Sequence, residues 1–129
     1  MGGYQVELEA KTLANEHFRE VLYTAPHSQL VVMSLLPNEE IGMETHTDHD
    51  QFIRVESGTG KASIGGEEFD LKDGSAIIIP AGEAHNIWNT SETDKMKLYT
   101  VYSPANHPEG TIHKDKAEAD AAEAAEHQS

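Results

Sequence analysis

The sequence predicts an all-β chain whose many short strands close into a sandwich or barrel. Short apolar runs recur through residues 18–102, separated by Pro37-Asn38, Ser57-Gly58-Thr59-Gly60, Gly65-Gly66, Asp73-Gly74, Pro80-Ala81-Gly82 and Asn89-Thr90-Ser91. Runs this short at this spacing suit antiparallel strands rather than alternating β and α units. The apolar residues are also concentrated, since 24 of the 25 Leu, Ile, Val and Phe residues precede residue 103. Averaged over the whole chain, 25 such residues in 129 with a net charge of −14 lie at the edge of disorder; the first 102 residues alone do not.

Taken in order, residues 7–17 (ELEAKTLANEH) form at most a turn of helix. Strands are expected at Phe18–Thr24, Leu30–Leu36, Ile41–His46, Gln51–Glu56, Lys61–Ile64, Glu67–Leu71, Ala76–Ile79, Ala84–Trp88 and Met96–Tyr102. Gly65-Gly66 marks a tight hairpin, because both residues can take positive φ. From Asp115 the sequence DKAEADAAEAAEHQS is rich in helix formers, and Asp115-x-x-Glu118 has capping-box spacing. Its only apolar residues are alanines, so a peripheral, solubilising helix is expected. The domain reading is an N-terminal extension (1–29), a barrel core (30–102) and a C-terminal arm with an Ala/Glu-rich helix (103–129).

Composition narrows the function classes. Without cysteine the chain has no disulfide, Fe–S cluster, thiolate zinc site or cysteine nucleophile. The N-terminus MGGYQVELEA lacks a basic region followed by an apolar stretch, and no apolar run nears the roughly 20 residues of a membrane span, so a cytoplasmic protein is expected. Its acidity repels phosphate backbones and anionic lipid, which argues against nucleic acid and membrane partners.

The sharpest feature is Gly74-SAIII-Pro80-Ala-Gly82-EA-His85-NIW-Asn89. Gly74 closes the turn into one strand, and Pro80 with Gly82 makes the tight corner into the next, which aims His85 at that strand's start. Asn89 can tie off the strand's end with side-chain hydrogen bonds. These residues resemble the second motif of the cupin superfamily, G(x)5PxG(x)2H(x)3N, at every fixed position. The first motif, G(x)5HxH(x)4E(x)6G, is matched in spacing from Asn38 to Gly58, but Asn38, Glu44 and Gln51 replace its glycine, first histidine and glutamate. Asn38 suits a left-handed turn position.

The resemblance implies a double-stranded β-helix, or jelly-roll, barrel with a short C-terminal helix, and a divalent transition metal (Fe, Mn, Ni, Co or Zn) in its lumen. Carried over residue by residue, the ligand set is Glu44, His46, Gln51 and His85. It keeps one carboxylate, as the usual three-histidine, one-glutamate set does. Strand periodicity turns Glu44 and His46 one way and Gln51, Ile53 and Val55 to a common face, with Phe52, Arg54 and Glu56 outward. Gln51 is either a ligand or a donor that orients Glu44 or a bound water. His49 is expected in the turn, facing solvent or substrate. His17, His27 and His127 are expected as surface or packing residues. His107 and His113 are also expected at the surface, unless NHPEGTIHK folds back over the barrel mouth. Trp88, Met33, Met43 and Tyr99 are pocket candidates, though such residues more commonly pack the core.

The functional expectation is a small metal-binding cupin that acts on, or binds, a small molecule, with Fe(II)-type oxygenase chemistry favoured among enzymes. The alternatives are a non-catalytic metal-dependent sensing module and a sugar or sugar-phosphate isomerase of the mannose-6-phosphate-isomerase-like kind. The last is disfavoured because the only arginines are Arg19 and Arg54, and phosphate is best met by bidentate arginine. A homodimer is implied by the resemblance.

Overall fold

The computed structural model describes residues 2–127, the side chains of residues 126 and 127 excepted, so the surface role expected of His127 lies outside the described residues. The chain runs α1 (Leu8–Ala14), β1 (Arg19–Thr24), β2 (Gln29–Leu35), β3 (Asp50–Ser57), β4 (Gly60–Ile64), β5 (Glu67–Leu71), β6 (Ala76–Ile79), β7 (His85–Asn89), β8 (Met96–Ser103), β9 (Ile112–His113) and α2 (Lys116–His127). Two antiparallel sheets form the jelly roll, one of six strands in the order β6-β3-β8-β2-β1-β9 and one of three in the order β5-β4-β7.

Alternation along the strands builds the core. Ile53 and Val55 of β3, Met33 and Leu35 of β2 and Leu98 of β8 face Ala62 of β4 and Ile87 of β7, all of them buried. Each large aliphatic side chain so buried contributes about 1.5–3 kcal/mol. In β2 the alternate residues Val32 and Ser34 are buried too. The expected turn of helix is the full element α1, which packs on β2, β3 and β8 and buries Thr12.

The turn chemistry is as its residues require. Gly65 and Gly66 have φ of 57° and 86° and close the β4–β5 hairpin at Ile64↔Glu67. Asn38 has φ 62°, the left-handed geometry expected of a residue standing at a glycine position.

Three expectations are corrected. Residues 41–46 do not form a strand; only isolated bridges Glu40↔Trp88 and Glu44↔His85 remain. Gly42, at φ 110°, breaks the ladder, and its N–H donates to the Asn86 side chain at 2.8 Å instead of to a strand carbonyl. The two-residue β9 was not expected, because so short a segment has no periodicity to read; it pairs with β1 at Arg19↔His113 and Glu20↔Ile112. Finally, α2 is more than a solubilising end, since Ala119 is buried within the core cluster. Its start is capped much as the spacing predicts: Glu118 N–H donates to Asp115 Oδ1 at 2.8 Å, and Lys114 N–H donates to Glu118 Oε1 at 3.0 Å. No helix among the described residues is long and apolar enough to cross a membrane.

Candidate functional site

The corner Pro80-Ala81-Gly82 delivers His85 to one mouth of the barrel. Gly82, at φ 90°, donates its N–H to the His46 carbonyl at 2.7 Å, and Ala81 N–H donates to Asp50 Oδ1 at 2.9 Å. The corner is thereby fastened to the segment that carries His46. Although residues 41–46 are not a strand, Glu44 and His85 exchange both backbone hydrogen bonds, at 2.8 and 2.9 Å, so Glu44 stands opposite His85.

Glu44 Oε2 lies 3.6 Å from His46 Nε2. The His46 ring centroid is 5.2 Å from that of His85 and 4.4 Å from that of His49. Gln51 reaches the group through its cross-strand partner Tyr102, whose ring lies edge-on to both His46 and His49 at 6.3 and 5.2 Å. The structure thus sets Glu44 and the rings of His85 and His49 each against His46, and connects Gln51 to this group only through the β3–β8 register with Tyr102.

Hydrogen bonds fix the donor atoms. His85 Nδ1 lies 2.9 Å from the Glu83 carbonyl, which can only accept, so Nδ1 carries the proton and Nε2 keeps its lone pair. His49 Nδ1 lies 3.2 Å from Asp48 Oδ1 by the same logic, and its buried Nε2 has no hydrogen-bond partner among the described residues. Gln51 Nε2 donates to Thr100 Oγ1 at 3.1 Å, while its buried Oε1 is likewise without a partner among them. Each such unpartnered buried acceptor is costly unless something satisfies it.

Burial sets the charge states. It pushes the Glu44 carboxyl up to about 7, with the charges of Glu123 and Asp120 adding to the rise and those of Arg19 and Lys116 opposing it. It pushes His46 down to about 4, helped by neighbouring His49 and His85, and it lowers His49 as well. Tyr102 is raised to about 12 and stays a phenol. At neutral pH His46 and His49 are therefore neutral imidazoles, and Glu44 is a carboxyl near its midpoint. The Glu44–His46 contact is not an ion pair there. Among the described residues, no three His, Cys, Asp or Glu side chains converge as a ligating group.

A cavity of about 270 Å³ opens beside Glu44 and His46; Arg19, His107, His113 and Glu123 of α2 also line it. His107 and His113 are thus not simple surface residues, since the 107–113 segment does fold back over the mouth. His49, only 4% exposed, is not solvent-facing. Its spacing, three residues after His46 and two before Gln51, does not mark it as buried. Arg19 shares a strand face with buried Val21, and that alternation was the available clue to its inward position. Of the pocket candidates, Met43 lines the cavity and Met33 packs the core. His17 is half-buried and held by Glu20 at 3.0 Å, a packing role as expected.

The chain resembles known proteins over most of its length. It is 50% identical over 113 residues to the uncharacterized protein L612 of Acanthamoeba polyphaga mimivirus, covering 84% of this chain and 70% of that one. It is 44% identical over 126 residues to the uncharacterized protein YrkC of Bacillus subtilis, covering 93% and 67%. The crystal structure of BH2720 from Bacillus halodurans superposes with a TM-score of 0.89 at 41% identity, over 92% of this chain and 93% of that one. The family model described as Cupin domain matches residues 31–102, which include all of Glu44, His46, Gln51 and His85. With a jelly roll of two antiparallel sheets and both cupin spacings in place, the chain belongs to the cupin domain family.

Proposed function

We propose that the barrel mouth binds one divalent transition metal through Glu44, His46, His85 and Gln51 Oε1, and that the adjoining cavity receives a small molecule. The observation that carries this reading is the buried, unpartnered Gln51 Oε1, on β3 opposite the Tyr102 whose ring packs edge-on to His46, an imidazole held neutral by burial. Gln51 Oε1, the His85 Nε2 left open by the Nδ1 bond to the Glu83 carbonyl, and Glu44 as its carboxylate would hold such an ion together with His46. Oxygen and nitrogen donors without sulfur suit Fe(II), Mn(II), Co(II), Ni(II) or Zn(II). When bound, such an ion supplies Lewis acidity toward a substrate oxygen.

The chain's own groups do the rest. Asp48 engages His49 Nδ1, which leaves the buried Nε2 as an acceptor, and Tyr102 provides a phenol that keeps its proton. The cavity holds a few-atom ligand against Glu44 and His46. Among reactions, oxidation at Fe(II) is favoured over sugar-phosphate isomerisation, and a binding module without turnover is the second reading. Substrate-dependent oxygen uptake by Fe(II)-loaded protein distinguishes the first from the last.

The test of the metal site is elemental analysis of protein purified without an affinity tag. About one transition metal per chain is expected, and the His46→Ala/His85→Ala double variant should contain none; an unchanged metal content in that variant sinks the site. Gln51→Glu should bind divalent metal more tightly by about tenfold, because it adds a second carboxylate to the donor set. Equal affinity would remove Gln51 from the set.

Affinity should also depend on pH with a defined sign. A proton competes with the metal for Glu44, whose carboxyl is raised to about 7, so binding strengthens from pH 6 toward 8 and levels off above the midpoint. Calorimetry in buffers of different ionisation enthalpy should detect proton release at pH 6 and little at pH 8.5. A pH-independent affinity would contradict the role of Glu44.

A further inference from the structure

Arg19 is an unusual cavity residue in so acidic a chain. It sits on β1 between β2 and β9 and is only 7% exposed. Its Nη1 lies 3.1 Å from His113 Nδ1, and its guanidinium carbon stands 5.3 Å from the centroid of the Phe18 ring. Its Nε is buried and has no hydrogen-bond partner among the described residues. Buried arginines are almost always paired with anions, since an uncompensated guanidinium costs several kcal/mol. Here the contacts are an imidazole and a phenyl face, and among the described residues the carboxyls that share its cavity, Glu44 and Glu123, form no salt bridge with it.

We infer that Arg19 is the recognition group for the carboxylate of a small monocarboxylic acid bound in the cavity shared with Glu44 and His46. This rests on the reading of that cavity as the ligand site, but not on the identity of the metal. The Nε–H and an Nη–H of one guanidinium edge form the planar fork that a carboxylate accepts bidentately. Asn106, His107 and His113 line the same cavity and add hydrogen-bonding groups, and burial drives His107 down to about 3. Lys116 is already engaged by Asp120 at 3.1 Å. The carboxyls of Glu44 and Glu123 oppose a phosphate dianion more strongly than a monoanion at Arg19. A volume of about 270 Å³ accommodates a small acid. The charge of Arg19 is also felt at Glu44, His46 and Tyr102, as a cation beside the proposed metal site must be.

The experiment follows the Arg19 Nε–H resonance in ¹⁵N-labelled protein at pH 7, both metal-free and with Zn(II). The chain has only Arg19 and Arg54, so Arg54→Lys assigns the signal. Lactate should move it saturably within roughly 50 mM, as expected for a ligand of so few atoms, while the neutral analogue lactamide should not. Arg19→Lys, which keeps the charge but loses the fork, should bind lactate at least about tenfold more weakly with its metal content unchanged. An Arg19 signal unmoved by lactate, equal shifts with lactamide, or tighter binding of methyl phosphate than of lactate would each overturn the inference. If lactate moves Arg19 but the chain holds no metal, the metal reading fails and the carboxylate subsite stands. If metal binds and Arg19 stays silent, only the subsite fails.

Discussion

Glu44→Gln should abolish metal binding and, in the same protein, raise the stability of the metal-free fold at pH 8 by about 3 kcal/mol. Burial lifts the Glu44 carboxyl from 4.5 to about 7, so the folded state holds that proton more tightly than the unfolded chain does. Its contribution is fully favourable below pH 4.5 and is lost as pH rises through about 7. A shift of that size corresponds to about 3 kcal/mol, the cost of keeping an ionised carboxylate in the site at pH 8. Glutamine has the same shape and no such charge. His46, lowered to about 4, works in the opposite direction: its contribution is present above 6.5 and lost as pH falls toward 4. The two offset one another between about pH 4.5 and 6.5, and above that window Glu44 alone remains. Urea unfolding in chelator at pH 8 and pH 5 checks this, with a gain expected at pH 8 and almost none at pH 5. A variant that keeps its metal, or that is no more stable than wild type at pH 8, would refute the assignment of Glu44 as a destabilising ligand.

Asn89→Ala should cost about 3–5 kcal/mol, a large fraction of a typical domain's total stability. Asn89 is 1% exposed, and its Nδ2 donates to the carbonyls of Leu35, Leu36 and Asp94 at 3.3, 3.1 and 2.8 Å, while its Oδ1 accepts from Ser91 N–H at 2.9 Å. Alanine strands these backbone groups in the interior, where each unsatisfied one costs about 1–3 kcal/mol. Asn89→Asp is not a rescue, because it loses the donors and buries a charge. Thermal and urea unfolding supply the measurement, and a loss below about 1 kcal/mol would show that the side chain is not the tie between β2, β7 and the loop after it.

Much of this was legible because it depends on local backbone chemistry. Gly65-Gly66, Asn38 and the corner around Gly82 each take the positive φ that their residue types permit. His85 and Asn89 lie on the buried face of β7, where the offsets from Pro80 put them. Glu44 and His85, read from the motifs as one set, still stand opposite each other although the strand expected at 41–46 is absent, because the bridge to His85 survives the break at Gly42. What escaped notice depends on long-range contact. Arg19 and His113 meet only because β9 adds to β1, a pairing across ninety-four residues with no periodic signal at its far end. His49 is buried by Tyr102 and His46, and nothing in the local sequence THTDHDQF separates it from a solvated turn histidine.

The alanine-rich composition of α2 has a steric meaning as well. Ala119 and Ala122 are the residues through which this helix, besides Glu123, faces the cavity. A methyl group is the smallest side chain that still covers backbone, so these two positions set the clearance above Glu44 and His46. Leucines there would strengthen the helix's grip on the barrel and fill the space that a ligand needs. The segment that makes the chain look too poor in apolar residues to fold is poor in them where volume has to be kept open.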